Sequence, residues 1–100
     1  MEGFNELIHQ RVRLQIMAAL HALPPEAEID FSTLRDSLET TDGNLGAHLR
    51  KLEDAGYVAV RKTFVGRKPR TYVAITPQGR LAFEAHLAAL RGILSRENPA

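Results

Sequence analysis

The chain has 100 residues, carries 13 Lys and Arg against 12 Asp and Glu, and contains no cysteine. Its length suits a single domain over residues 1–100, and its 44% apolar content argues against wholesale disorder. The lack of cysteine excludes disulfides, thiol nucleophiles and Cys-ligated zinc. The longest apolar run is too short to span a bilayer, and the acidic start lacks the basic opening of a secretory signal. We therefore expect a cytoplasmic protein with no membrane partner.

The first predicted element is a helix over about residues 5–23, where apolar residues recur at spacings of three and four and Asn5 can cap the start. A Pro-Pro pair ends it. Residues 29–31 suit a short extended segment. A second, short helix is predicted to open at Ser32, whose hydroxyl is a good N-cap.

A polar break at residues 39–41 precedes a third helix, predicted over residues 42–55 with Thr41 or Asp42 as its cap. Gly56 stands where a left-handed residue would end this helix. The apolar stripe of the helix consists of Leu45, Leu49 and Leu52.

Two strands are predicted next, over residues 57–64 and 70–75, because both segments are rich in β-branched and aromatic residues. Residues 65–69 connect them, with Gly66 free to adopt a positive φ. Residues 1–50 carry a net charge of −4 and residues 51–100 a net charge of +5, and five of the nine Lys and Arg in the second half lie within residues 61–70. The hairpin therefore has a cationic tip, which points to a polyanion or is simply a solvated turn.

The last predicted helix begins with Thr76 as cap and Pro77 in the first helical position, and ends near Ser95. A seam of apolar residues runs along it at spacings of four, three and four: Phe83, Leu87, Leu90 and Leu94.

This order, α-(β)-α-α-β-β-α, predicts a mainly α fold with a β-hairpin (α+β), a winged helix-turn-helix. In the third helix, at 100° per residue, small or polar residues lie opposite the leucine stripe. Gly43 and Gly46 keep the first turns slim, which suits close approach to base edges; a poorly formed helix start is the less favoured alternative. The outward residues are Asn44, Ala47, Arg50, Lys51 and Asp54.

Four stretches resemble the small winged-helix regulators of bacteria and archaea in the MarR/ArsR-like grouping, nearest to their minimal stand-alone members. They are residues 12–20, residues 31–36 with 41–58, residues 64–71 and residues 75–80. The metal-sensing ArsR members carry cysteines near the short helix, and this chain has none, which excludes that kind of metal sensing.

The resemblance implies which residues meet DNA. Those facing the major groove or its rim are Thr41, Gly43, Asn44, Ala47, His48 and Lys51. Those at the tip of the hairpin, or wing, are Arg67, Lys68 and Arg70.

The chemistry of the side chains indicates which of these residues suit a base and which suit a phosphate. The amide of Asn44 suits base readout, and Arg50 or Lys51 suits guanine. Ser32 and Thr33 suit a phosphate, because free amides and the helix dipole favour an anion at a helix N-terminus.

The wing residues Arg67 and Lys68 suit phosphates, and Arg67 also suits a narrow minor groove. Arg61 and Lys62 are better explained as strand-face charges. His48 lies between the buried and outward faces, so packing and DNA contact remain equal alternatives.

A homodimer is expected because one winged helix reads only a few base pairs. The first and last helices, about 5–23 and 77–95, would form the interface, unless the seam packs only within its own chain. The interface residues predicted are Leu7, Ile8, Phe83, Leu87, Leu90 and Leu94.

The favoured function is sequence-specific DNA binding to a pseudo-palindromic operator by a transcriptional regulator without catalysis, cofactor or metal; the resemblance favours repression. Glu84 and His86 stand about 200° apart on a helix and cannot chelate one ion together. No catalytic motif or phosphate-binding glycine loop is present. The alternative is a winged helix that binds an acidic protein instead of DNA. The sequence does not indicate a small-molecule effector.

Overall fold

The computed structural model describes residues 2–97 and confirms the predicted order of elements. None of the helices in that range is long and apolar enough to cross a membrane. The helices are α1 (Arg11–His21), α2 (Phe31–Ser37), α3 (Asp42–Asp54) and α4 (Pro77–Glu97), and the strands are β1 (Ile29–Asp30), β2 (Val58–Val65) and β3 (Lys68–Ile75).

The three strands form an antiparallel sheet in the order β1-β3-β2. Strands β2 and β3 pair up to Val65 opposite Lys68, so the loop contains only Gly66 and Arg67 and is shorter than the predicted residues 65–69. Gly66 has a φ of 65°. Glycine at the first position of a two-residue loop suits a type II′ turn, whose twist matches that of the strands and lets them pair up to the turn.

The first helix starts later than predicted, at Arg11 rather than near residue 5. Gln10 is extended and caps α1, because its side chain accepts a hydrogen bond from the Arg13 N–H at 3.0 Å. Asn5 instead caps a separate turn, where its side-chain oxygen accepts from the Ile8 N–H at 3.0 Å. Both pieces turn apolar residues toward the core, and therefore the periodicity did not reveal the break.

The core lies between the helices and one face of the sheet. Two of the residues predicted for a dimer interface belong to it, since Ile8 and Phe83 have exposed fractions of 0% and 4%. Their side chains are covered by their own subunit, so their assignment to an interface is wrong. The other buried hydrophobic residues are Ile16, Met17, Leu20, Leu34, Leu45, Leu49, Leu52, Val58 and Val73.

Helix α4 is capped by Thr76 as predicted, since the Thr76 hydroxyl accepts from the Gly79 N–H at 2.9 Å. The same hydroxyl donates to the Gly56 carbonyl at 2.6 Å and joins the helix start to the end of α3. With 21 residues, α4 is about 31 Å long. The radius of gyration of 14.9 Å exceeds the roughly 13 Å usual for 100 residues, so the molecule is elongated.

Candidate nucleic-acid interface

Helix α2 ends in a tight turn that sets the direction of α3. The Glu39 N–H donates to the Asp36 carbonyl and the Thr40 N–H to the Arg35 carbonyl, both at 3.2 Å. This pair of bonds is the Schellman arrangement, which needs a left-handed residue at its centre. Glu39 supplies it with a φ of 53°. The chain thus turns within the four residues 38–41 and begins α3 in contact with α2.

Helix α3 starts at the predicted cap, because the Thr41 hydroxyl accepts from the Asn44 N–H at 3.1 Å. Arg35 joins the two helices through a contact of 2.7 Å to Asp42, and it also contacts Asp36 within α2 at 2.9 Å. These carboxylates, Asp36 first, raise the pKa of Arg35 above its ordinary value. Exposed ion pairs contribute little stability, so the main effect of the Arg35–Asp42 contact is to orient α3 relative to α2.

One face of α3 is open to solvent over its whole length. Its leucines point into the core, and the opposite side carries small and polar side chains. The predicted readers of DNA that are exposed there are Thr41, Gly43, Asn44, Ala47, Arg50 and Lys51. All of them are therefore accessible to a ligand, and their contact with DNA remains a prediction.

Asn44 is partly engaged within the protein. Its side-chain Nδ2 donates to the Thr40 hydroxyl at 2.8 Å, while its backbone N–H is held by Thr41. The bond to Thr40 uses one of the two amide hydrogens and fixes the side chain near the start of α3. The other hydrogen and the carbonyl oxygen remain for base readout.

His48 is half-buried at the edge of α3 that faces α1. Its Nδ1 lies 3.0 Å from Nη1 of Arg13, whose Nε–H donates to the Leu7 carbonyl at 2.6 Å. Burial, followed by the charges of Arg13 and Lys51, lowers the pKa of His48. His48 therefore packs against Arg13, and a DNA contact by the same side chain stays a prediction.

The hairpin presents three predicted contact residues at or near its tip. Arg67, Lys68 and Arg70 are all exposed, and within the described part of the chain only Arg70 lies near a carboxylate, with its Nε 3.6 Å from Asp30.

Farther down the hairpin, Arg61 forms a two-pronged contact with Glu28, at 3.0 and 2.8 Å to its two oxygens. The guanidinium carbon of Arg61 also lies 4.7 Å from the centre of the Tyr72 ring. Arg61 is thus a strand-face charge, as predicted.

A cleft between α3 and the sheet brings the exposed helix face and the hairpin together. Gly46, Arg50 and Glu53 line one wall, and Val60, Lys62 and Thr71 line the other. Lys62 therefore lies on the face of the sheet that borders α3. The sequence alone predicts for Lys62 only a charge on the face of a strand. Its alternation with Val60 along β2 was the available signal, because residues two apart share a face of a strand.

Ser32 and Thr33 have no free backbone N–H groups to offer a phosphate. Helix α2 begins at Phe31 and is capped by Asp30, not by Ser32. Both backbone N–H groups donate to the Asp30 carboxylate, at 3.0 and 3.3 Å. The amides are occupied and the site already holds a negative charge, so a phosphate would be repelled. The two hydroxyls are exposed.

Within residues 2–97, no group of three or more His, Asp or Glu side chains is arranged to hold a metal ion. His9 and His86 meet at 3.3 Å, but the Nδ1 of His86 already accepts from the Asn5 N–H at 3.0 Å. The pair therefore joins α4 to the N-terminal turn and has a structural role.

Residues 12–94 match the family model described as a winged helix DNA-binding domain. The match covers the helix-turn-helix, the hairpin and most of α4. The chain belongs to this winged-helix family. Its members and their fold are those of DNA-binding transcriptional regulators and not of enzymes, and the protein is accordingly a DNA-binding regulator.

The chain is also similar to individual proteins of archaea and bacteria. An uncharacterized protein of Methanocaldococcus jannaschii is 37% identical over 87 residues, which are 87% of each chain. A transcriptional regulator homologue of Pyrococcus horikoshii has 33% identity and a TM-score of 0.84, with 94% of this chain and 90% of that one covered. A protein of Enterococcus faecalis, ascribed to the MarR family, shares the winged-helix fold at 22% identity and a TM-score of 0.69, over 91% and 81% of the chains.

Proposed function

We propose that the protein is a homodimeric repressor that binds a pseudo-palindromic DNA operator, with α3 in the major groove and the β2–β3 hairpin on the adjacent backbone. The observation that carries this proposal is the shared cleft, in which Gly46 and Arg50 of α3 lie opposite Lys62 of the hairpin. A helix fits the major groove of B-DNA, and cations beside it meet phosphates.

The residues divide by chemistry. Asn44, Arg50 and Lys51 offer hydrogen-bonding groups to base edges, with Gly43 and Ala47 allowing close approach. Arg67, Lys68 and Arg70 neutralise phosphates at the hairpin, and Lys62 extends this positive surface into the cleft.

The apolar stripe of α4 supports a dimer. Its four residues lie within about 60° of one another at 100° per residue, yet their exposure rises along the helix. Phe83 is buried, Leu87 and Leu90 are half-buried, and Leu94 is 67% exposed. The C-terminal part of the stripe therefore extends beyond the core of its own subunit. A second copy of α4 would cover Leu90 and Leu94 there.

In this proposal, repression results from binding of the dimer to its operator. Two copies of α3 related by a twofold axis would read half-sites about one helical turn apart. A dimer seated on such a site covers DNA that polymerase must reach. In vitro transcription from a template carrying the selected site, with and without protein, tests this point; an increase in transcript would contradict it.

The test of DNA binding is the double variant Arg67→Ala/Lys68→Ala, with Arg91→Ala/Arg96→Ala as a control that removes two exposed charges of the same sign from α4. Loss of two phosphate contacts should weaken binding to every duplex and reduce the slope of log K against log salt by about 2. The control should leave that slope unchanged. If the wild-type protein binds no duplex and instead captures acidic protein partners, the interaction-module alternative is correct.

A selection of bound duplexes from a random pool then reports the half-site spacing. Two inverted half-sites support the dimer, whereas a single short site contradicts it.

A further inference from the structure

The two ring nitrogens of His48 stand in different surroundings. Nδ1 lies 3.0 Å from the Arg13 guanidinium. Nε2 has no hydrogen-bond partner among residues 2–97, and no buried side-chain nitrogen or oxygen in that range lacks one. Nε2 is therefore in contact with solvent at the surface of α3.

The contact with Arg13 determines the tautomer of His48. A guanidinium has five N–H donors and no acceptor, so the Nδ1 that it approaches must be the acceptor. A neutral imidazole carries its single proton on the other nitrogen, Nε2. The Leu7 carbonyl, 2.6 Å from Nε of Arg13, holds the guanidinium in place for this contact. Burial and the charges of Arg13 and Lys51 lower the pKa of His48 and favour the neutral ring.

The free N–H stands among the predicted readers of bases. His48 follows Asn44 by four residues and precedes Lys51 by three, so the three side chains are neighbours along one edge of α3. Arg13 has used the acceptor of the ring, and what remains toward solvent is one donor.

We propose that His48 is a specificity-determining residue whose Nε2–H donates a hydrogen bond to an acceptor on a base edge in the major groove, and that Arg13 is the positioning residue that fixes this tautomer. Purine N7, guanine O6 and thymine O4 are the acceptors available there. The inference rests on the proposed DNA-binding function. It also gives α1, which carries Arg13 and lies outside the interface, a role in the sequence specificity of DNA binding.

The variants separate a donor at Nε2 from one at Nδ1. His48→Gln places an amide N–H near the position of Nε2, whereas His48→Asn reaches only that of Nδ1. Arg13→Met keeps the apolar stem of Arg13 and removes its donors. The matched control is Arg11→Met, which removes an exposed positive charge from the same helix.

The binding experiment uses the duplex most enriched from the random pool and a shuffled duplex of the same composition, and it compares the ratio of the two affinities. His48→Asn and Arg13→Met should each reduce that ratio by roughly fivefold, the value of one hydrogen bond, and their double variant should lose no more. His48→Gln should keep most of the ratio. Arg11→Met should weaken binding to both duplexes equally.

Nitrogen-15 NMR of the wild-type ring supplies a test without DNA, because protonated and unprotonated ring nitrogens differ widely in chemical shift. Protonated Nε2 and unprotonated Nδ1 are expected, and the reverse overturns the inference even if Arg13→Met fails to fold. An Arg13→Met protein that behaves like Arg11→Met, or losses that add in the double variant, also overturns it. Equal binding of both duplexes by the wild-type protein overturns the proposed function itself.

Discussion

Glu39 occupies the same structural position at the end of α2 that Gly56 occupies at the end of α3. In both turns the left-handed residue donates to the carbonyl three positions earlier, and the next residue to the carbonyl five positions earlier. The φ values are 53° at Glu39 and 83° at Gly56. Only the second turn was recognisable in the sequence, because glycine marks a left-handed residue and glutamate does not.

Glu39→Gly should therefore stabilise the protein. The substitution removes roughly 1–2 kcal/mol of left-handed backbone strain, and the greater freedom of glycine in the unfolded chain offsets part of this. The free energy of unfolding should therefore rise by about 0.5–1 kcal/mol. Urea denaturation measures it. Glu84→Gly, the same substitution in the interior of α4, should instead cost about 1 kcal/mol. A loss of stability in both variants would contradict the strain at Glu39.

His86 makes the stability depend on pH. Its Nδ1 accepts from Asn5, its Nε2 meets His9, and it is fully buried. Burial, followed by the charge of His9, lowers the pKa of His86, with Glu6 acting weakly in the opposite direction. The folded state therefore binds a proton less readily than the unfolded state does. The contribution of His86 to the free energy of unfolding should be greatest above the ordinary pKa of about 6.5, and it should decrease as the pH falls below that value.

Urea denaturation at pH 7.5, 6.5 and 5.5 tests this, since carboxylates stay largely ionised over that range. His86→Asn keeps an acceptor near Nδ1 but cannot titrate, so its stability, although lower, should change less with pH. An equal pH dependence in the two proteins would assign the effect to other groups.

Among the elements, α4 carries the dimer proposal. Leu94 is 67% exposed on the apolar stripe, and Leu81 is 69% exposed but lies about 160° around the helix from Phe83. The wild-type protein should have twice the chain mass of 11.1 kDa in light scattering. Leu94→Glu should shift it toward the monomer, because a charge within an apolar interface is costly, and Leu81→Glu should leave the dimer intact. A wild-type monomer at micromolar concentration would contradict the dimer.

Elements with strong local signals were predictable from the sequence. Thr41 and Thr76 cap α3 and α4, and the leucine stripe of α3 faces the core, because capping and periodicity act within one or two turns. The break at Gln10 was not predictable, since it depends on Asn5 reaching Tyr57 and His86, which are distant in the chain. The cap of α2 was misassigned because Asp30 and Ser32 are both good N-caps, and pairing of β1 with β3 selects Asp30.

At the scale of the whole molecule, the candidate site is a surface shared by α3 and the hairpin. Both parts were identified from the sequence, but the cleft that joins them depends on how the sheet packs beside the helix. Lys62 shows the difference: its charge was evident, and its place beside Arg50 required the fold. The same holds for His48, whose contact with Arg13 joins residues 35 positions apart.

The most direct test of the account is the affinity of Ala47→Glu for duplex DNA, measured by fluorescence anisotropy. Ala47 lies at the centre of the exposed face of α3, where a carboxylate would stand against the negative charge of the DNA. Ala88→Glu, at an exposed alanine of α4, adds the same charge away from that face. Ala47→Glu should weaken binding at least tenfold, about 1.4 kcal/mol or more, while Ala88→Glu stays within about twofold of the wild type. Equal affinities of the two variants would show that DNA does not bind at α3.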